Sequence, residues 1–517
     1  MSPNGALART VILFLLAASV HAEQAVPRVV DGRIRDPQGR LLVLRGMNTG
    51  GASKHAPYLP WQEQSDFDRL RAWGFNAVRL LISWKAVEPA PGEFDDAYLE
   101  EIVRRVGWCA ERQVYVLVDF HQDLYAEAVG GNGAPDWAVL GSAEAQAPEW
   151  PSRGGPWYTA YFRPEVLSAF DAFWANALVP ATGRGVQDHY AGAVAFVARR
   201  LRGEPYLLGY DLMNEPFYGS DVQQILGAAA RHDPLFALVG GAALLGGKGS
   251  STAARALRSE ERVDRFLAGL DRVVERFESG KLMPFYDRVS RVVRAVDPEH
   301  ILFLEGTPLK TAGGRSFLRR PIDAEERPFD NVAFAHHYYD PSMADGTLDY
   351  DGRRSRAAWA IARNMEESGS QGAAFLLGEY GALTSGVGRA GQYVADYLDL
   401  FNETGTGGMY WAWEKDLTGK DLFTAFARPG VQSVAGTEAT GTFDATTRNL
   451  CVEFVSDPSI GASSEVFLPE SLYPAWRLAT SDPEGAWSAR LDEATRTLAY
   501  RTSTAGRVRI EVTPREP

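Results

Sequence analysis

At 517 residues, 45% of them apolar and 23% charged, the chain has room for a large barrel and a smaller second domain, and its balance is that of a globular protein. A formal net charge of −13 argues against a polyanion such as nucleic acid as the main ligand. The charge leaves open a membrane surface approached through apolar loops.

The N-terminus reads as a secretory signal. Arg9 precedes the apolar run Val11-Ile12-Leu13-Phe14-Leu15-Leu16-Ala17-Ala18, and Val20-His21-Ala22 offers small residues for cleavage. The run is too short to remain in a bilayer as a spanning helix. A signal over residues 1–22 and a secreted or periplasmic protein are therefore expected. Residues 24–40, with Val29-Val30-Asp31-Gly32 near their start, read as a hairpin closing the bottom of the domain that follows.

Strand and helix signals then alternate. Strands are predicted over 41–48, 76–83, 114–120, 207–213, 301–306, 332–338, 373–379 and 408–413. Helical patterns fall between them, at 67–73, 98–113, 189–202, 285–296, 356–367 and 392–403. Eight such repeats predict an α/β protein with a closed (β/α)₈ barrel over 23–427. No glycine-rich phosphate fingerprint opens a helix after the first strand, which counts against a dinucleotide fold.

Two connections are too long to be plain loops. Residues 126–186 follow the third strand, and residues 217–283 follow the fourth. The second contains an apolar, glycine-rich run over 235–247, readable either as a lipid-facing lid or as a buried hairpin. Beyond 427 the pattern changes to short alternating strands, such as Leu450, Val452, Phe454 and Val508, Ile510, Val512. Residues 428–517 are read as a small β-sandwich. The two cysteines, Cys109 and Cys451, lie far apart without metal-ligand spacing and read as free thiols.

The chemistry-bearing residues gather at the ends of the predicted strands. The fourth runs through Leu207-Leu208-Gly209-Tyr210-Asp211-Leu212-Met213 and stops at Asn214-Glu215-Pro216, where proline cannot donate to a ladder. The seventh ends in Gly378-Glu379-Tyr380-Gly381. Two carboxyls at converging strand ends are what glycoside hydrolysis requires. Lys54 follows strand one, Arg79 lies in strand two, His121 and Asp123 follow strand three, and His337 and Tyr339 end strand six. Trp411 or Trp413 lies on strand eight. Glu305 also ends a strand and competes with either glutamate, while Asp119 and Asp211 read as buried hydrogen-bond partners.

Asn214-Glu215-Pro216, Gly378-Glu379-Tyr380-Gly381, Arg79, His121 and His337-Tyr338-Tyr339 together resemble glycoside hydrolase family 5. Phe120-His121-Gln122-Asp123-Leu124-Tyr125, Gly131-Asn132-Gly133-Ala134-Pro135 and Val466-Phe467-Leu468-Pro469-Glu470 are similar to stretches of its endoglycoceramidase and glycosylceramidase subfamily. The resemblance implies Glu215 as general acid/base and Glu379 as nucleophile of a retaining double displacement. It implies Lys54, His121, Asp123, Asn214, His337, Tyr339 and Trp411 as substrate-binding residues and Arg79 as support. Glu305 is then a polar wall residue. No cofactor or metal is expected, since carboxylates do the proton and covalent work.

The expected function is hydrolysis of the bond between glycan and lipid in glycosphingolipids, with possible peripheral contact with membranes or micelles. Five alternatives stay open. Three are enzymes releasing a single hexose from glucosylceramide, galactosylceramide or a steryl glucoside, and a β-glucanase or a non-catalytic glycolipid-binding protein stands behind them. The long segment after strand four and the acidic Asp340 after His337-Tyr338-Tyr339 are expected where sugar and lipid enter.

Overall fold

The structure is a computed structural model that describes residues 26–141, 157–235, 237–238, 259–342, 350–381 and 389–515. The predicted signal, residues 1–22, lies outside them. Eight parallel strands form the central barrel: β1 (Arg45–Asn48), β2 (Ala77–Ile82), β3 (Tyr115–Phe120), β4 (Leu207–Asp211), β5 (Ile301–Leu304), β6 (Val332–Phe334), β7 (Ala374–Phe375 with Leu377–Tyr380) and β8 (Gly408–Tyr410). β7 is interrupted at Leu376. Its first half pairs with β6 and its second half with β8, so the sheet closes on itself. At Gly209, in β4, a side chain could not be accommodated: a Cβ would lie 1.8 Å from the Ile301 carbonyl oxygen of β5.

Helices pack around the barrel where the periodicity placed them, extended by their caps. The helix expected from Phe67 begins at Gln64, because Glu63 and Asp66 form a reciprocal capping box. The helix Asp96–Ala110 starts after Asp95, whose carboxylate accepts the Tyr98 N–H. Among the described residues no helix is long and apolar enough to cross a membrane.

The first predicted strand, 41–48, is two strands serving two cores. Leu41 and Val43 point into the C-terminal domain, while Leu42 and Leu44 point into the barrel interior. Leu41–Leu42 pairs antiparallel with Ser433 and Val434, and only Arg45–Asn48 enters the barrel. Period-two alternation is what lets one short segment bury both faces. The hairpin of Arg28–Val30 and Arg33–Arg35 extends the same sheet and sets Ile34 under the barrel, against Leu42 and Leu44.

The C-terminal region has two antiparallel sheets. One holds Gly430–Val434, Ser464–Phe467, Thr497–Thr502 and Trp487–Asp492 together with the N-terminal strands. The other holds Gly436–Asp444, Asn449–Ser456, Gly506–Pro514 and Trp476–Thr480. Leu450, Val452, Phe454, Val508, Ile510 and Val512 fill the space between them. Cys109 is buried in a helix, Cys451 lies on a strand, and both are free thiols.

Both long connections lie on the rim formed by the C-terminal ends of the strands. The first contributes Trp157–Phe162 and the helix Pro164–Trp174; the second contributes helices Val222–His232, Glu260–Ala268 and Asp271–Phe277. Of the run 235–247, Leu235 and Leu238 are exposed, and residues 236 and 239–247 lie outside the described ones.

Candidate active site

Arg79, on β2, is fully buried at the centre of the rim. Its Nη1 donates to Glu379 Oε1 at 2.8 Å and to Asn48 Oδ1 at 3.1 Å. Its Nη2 lies 2.8 Å from Asp211 Oδ2, 2.8 Å from Glu305 Oε1, 2.9 Å from Asp119 Oδ1 and 3.0 Å from Asn214 Oδ1. One guanidinium thus meets four carboxyls, from β3, β4, β7 and the residue that follows β5. Burial and the Glu305 charge push the Asp211 carboxyl far above its usual range despite Arg79. Burial would raise Glu305 too, but His337 and Arg79 hold it below the usual range.

Glu215 and Glu379 face each other across His337. Ring Nδ1 lies 2.9 Å from Glu215 Oε1 and 3.6 Å from Glu379 Oε2, and oxygens of the two glutamates lie within 4.8 Å. Tyr339 donates to Glu379 Oε2 at 2.6 Å. Burial disfavours a charge on His337, yet Glu305, Glu379 and Glu215 together raise it well above the ordinary imidazole value. Glu215 itself is shifted upward, first by burial and then by the Glu379 and Glu305 charges, with His337 pulling the other way. Gly378 makes this approach possible, since a Cβ there would meet the Ala335 carbonyl at 2.4 Å and the His337 ring at 3.0 Å.

A second group lines the neighbouring wall. Lys54 Nζ donates to Asp123 Oδ2 at 2.6 Å and lies 4.4 Å from the Trp411 ring centre. His121 stacks on Trp411 with centroids 5.5 Å apart, and its Nδ1 lies 2.7 Å from Asp119. Burial would raise Asp123, but Lys54, His121 and Asn132 hold its carboxyl far below the usual range. Burial and Lys54 oppose charge on His121, and Asp119 and Asp123 outweigh them. Asn132, from Gly131-Asn132-Gly133, donates to Asp123 at 2.9 Å.

All ten residues singled out in the sequence thus belong to one continuous network. Trp413, the alternative to Trp411, is 1% exposed and packs edge-on against Trp61, Phe67 and Trp73 in the core. Asp340 is not at an entrance: it is fully buried and takes two hydrogen bonds from Arg356, at 2.8 and 2.9 Å. Asp119 and Asp211 are buried partners of Arg79. Two residues of the network carried no role in the sequence reading, and a third carried a different one. Asn48 ends β1 and orients Arg79; Gln122 donates to the carbonyls of Asn214 and Glu215; Glu305, read as a wall residue, is wired into the centre. Polarity at a strand end was the available signal for Asn48 and Glu305.

Among the described residues, two sets of three groups could in principle hold a cation: Glu215, His337 and Glu379, and Asp119, Asp211 and Glu305. The second surrounds Arg79, whose charge occupies the position a metal would take.

A closed eight-stranded barrel with paired glutamates on the ends of β4 and β7 is the arrangement of the barrel glycoside hydrolases. The profile of the Cellulase (glycosyl hydrolase family 5) family matches residues 36–417, and that of the glycoside hydrolase family 5 C-terminal domain matches residues 428–512. The chain belongs to glycosyl hydrolase family 5, a retaining family. It is 39% identical over 189 residues to endoglycoceramidase I of Rhodococcus hoagii, covering 36% of each chain. It is 26% identical over 246 residues to a glucosylceramidase of Aspergillus fumigatus, covering 37% of this chain and 32% of the relative. These alignments span about a third of the relatives' own length. The structure of endo-glycoceramidase II from Rhodococcus sp. with ganglioside GM3 aligns with a TM-score of 0.72 at 28% identity, over 93% of this chain and 99% of that one.

Proposed function

We propose that this protein is a secreted or periplasmic retaining β-glycosidase that cleaves glycosphingolipids between glycan and lipid. The observation that carries the reading is the placing of Glu215 and Glu379, with oxygens within 4.8 Å, at the mouth of the barrel. Retaining pairs stand about 5–5.5 Å apart, too close for the water that an inverting enzyme must hold between them.

Glu379, oriented by Arg79 and Tyr339, attacks the anomeric carbon. Glu215 gives its proton to the departing lipid oxygen, and a glycosyl ester forms on Glu379. Glu215 then takes a proton from water, which attacks the same carbon and frees the glycan. Asn214 has one amide hydrogen committed to the Gln122 carbonyl and its oxygen to Arg79. The other hydrogen is left for the sugar 2-hydroxyl, a bond that strengthens in the transition state. Trp411 offers an aromatic floor, and Lys54, His121 and Asp123 offer partners for further hydroxyls. His337 sets Nδ1 on Glu215 and carries Nε2 3.1 Å from Glu305, and so acts on the carboxylates rather than on the sugar. No cofactor enters these steps.

The lipid side of the reading is supported by the surface. Of seven exposed large apolar residues among the described ones, Phe162, Leu178, Leu226, Leu235 and Leu238 lie in the two long connections on the active rim. Apolar side chains exposed on the connections that follow β3 and β4 suit a substrate presented in a micelle or membrane. Deleting 235–247 should lower turnover of micellar glycolipid more than that of a soluble aryl glycoside; equal losses would remove the lipid-contact role.

The similarity to a glucosylceramidase favours a second reading, release of a single hexose from glucosylceramide, a galactosylceramide or a steryl glucoside. Products from GM1, lactosylceramide, glucosylceramide and cholesteryl glucoside separate the two. Intact oligosaccharide from GM1 is expected; glucose alone, with longer glycans refused, would establish the second. Glu215→Gln and Glu379→Gln should each lower kcat by about 10²-fold or more. Undiminished turnover in either variant would discard the roles, and cleavage of carboxymethyl cellulose without lipid turnover would leave a β-glucanase.

A further inference from the structure

Glu305, only 2% exposed, touches both the backbone of Glu215 and the His337 ring beside its carboxylate. Its Oε2 accepts the Glu215 backbone N–H at 2.9 Å. Its Oε1 lies 3.1 Å from His337 Nε2, on the ring whose Nδ1 meets the Glu215 carboxylate at 2.9 Å. One carboxylate therefore holds the main chain of Glu215 and, through a single imidazole, its side chain.

The main-chain contact has work to do. Glu215 has a φ of 39°, in the left-handed region that L-residues avoid, and Pro216 follows directly. Gln122 restrains the peptide from the other side, donating to the Glu215 carbonyl at 3.0 Å. Such a conformation persists only where its surroundings over-determine it. Glu305 is itself fixed: Tyr286 OH donates to its carbonyl at 2.8 Å and lies 3.2 Å from its N–H.

A simpler role, supplying negative charge to Arg79, does not account for this geometry. Asp119, Asp211 and Glu379 already surround that guanidinium, and none of them reaches the Glu215 N–H. We infer that Glu305 is a positioning residue that sets the Glu215 carboxyl for proton transfer through the backbone N–H and through His337. The inference rests on the reading of Glu215 as the acid/base.

The test compares E305Q with the parent and with E215Q on aryl β-lactosides, or on aryl β-glucosides should the single-hexose reading hold. A dinitrophenyl group departs without a proton, whereas a plain phenyl group needs one. E305Q should keep kcat/KM for the dinitrophenyl glycoside within about threefold of the parent and lose about tenfold or more on the phenyl glycoside. E215Q should show the same asymmetry with a larger loss. Equal losses of E305Q on both substrates, or no loss on either, would overturn the inference. An E215Q variant without asymmetry would instead defeat the acid/base assignment. Trapping with a dinitrophenyl fluorosugar counts folded sites. E305D, which keeps the charge but shortens the reach to the N–H, supplies the same comparison if E305Q traps none.

Discussion

At Arg79 four carboxyls converge on one guanidinium, and His337 is inserted between three glutamates, so every charge in the cleft depends on its neighbours. The consequence falls on Glu215. Burial first, then the Glu379 and Glu305 charges, raise its carboxyl above the ordinary value of 4.5, and only His337 opposes them. The acid form does the first chemical step, so activity is present below the raised value and lost as pH climbs through it. The basic limb of kcat/KM against pH should accordingly lie above 4.5 for a substrate with a poor leaving group, and vanish for a dinitrophenyl glycoside. A limb at the ordinary glutamate value on both substrates would contradict this account.

Individual elements are joined by buried charge as well as by apolar packing. The loop after β6 is tied to the helix Arg354–Ser370 by Arg356, which pairs with Asp340 and with Asp351. Asp340 also accepts the Ser342 N–H, so it organises the turn that follows His337 and Tyr339. Arg356→Met would leave Asp340 buried without a counter-charge, and should lower the unfolding free energy by about 3–5 kcal/mol. Adding Asp340→Asn should recover part of that loss. Denaturant titrations of the single and double variants check it, and additive effects would show that the two side chains are not coupled.

At the level of the whole molecule, the barrel and the sandwich are built through each other. Leu41 and Val43 complete the sandwich core while Leu42 and Leu44 complete the barrel's. Gln432 donates to the Gly74 carbonyl, and Arg45, from β1, reaches the Arg428 carbonyl. Truncation before residue 428 would expose one face of the 41–44 strand and leave its edge unpaired. We expect the shortened chain to be insoluble, or to melt well below the full-length protein in a thermal scan. A monomeric barrel with unchanged melting temperature and turnover would refute the interdependence.

The repeating pattern of apolar strands and amphipathic helices, and the polar residues where strands stop, depend only on local spacing, and for this reason the barrel and its two rim glutamates could be read directly from the chain. Contacts between residues hundreds of positions apart left no such trace. Nothing local distinguishes Glu305, beneath the Glu215 peptide, from a glutamate that merely ends a strand. Trp411 and Trp413 share a strand pattern, and only packing against Trp61, Phe67 and Trp73 assigns the second to the core. Likewise the alternation through 41–44 announces a strand but not that its two faces belong to different domains. Periodicity reports that a face is buried; which partner buries it is settled by the closed barrel and the sheet packed beneath it.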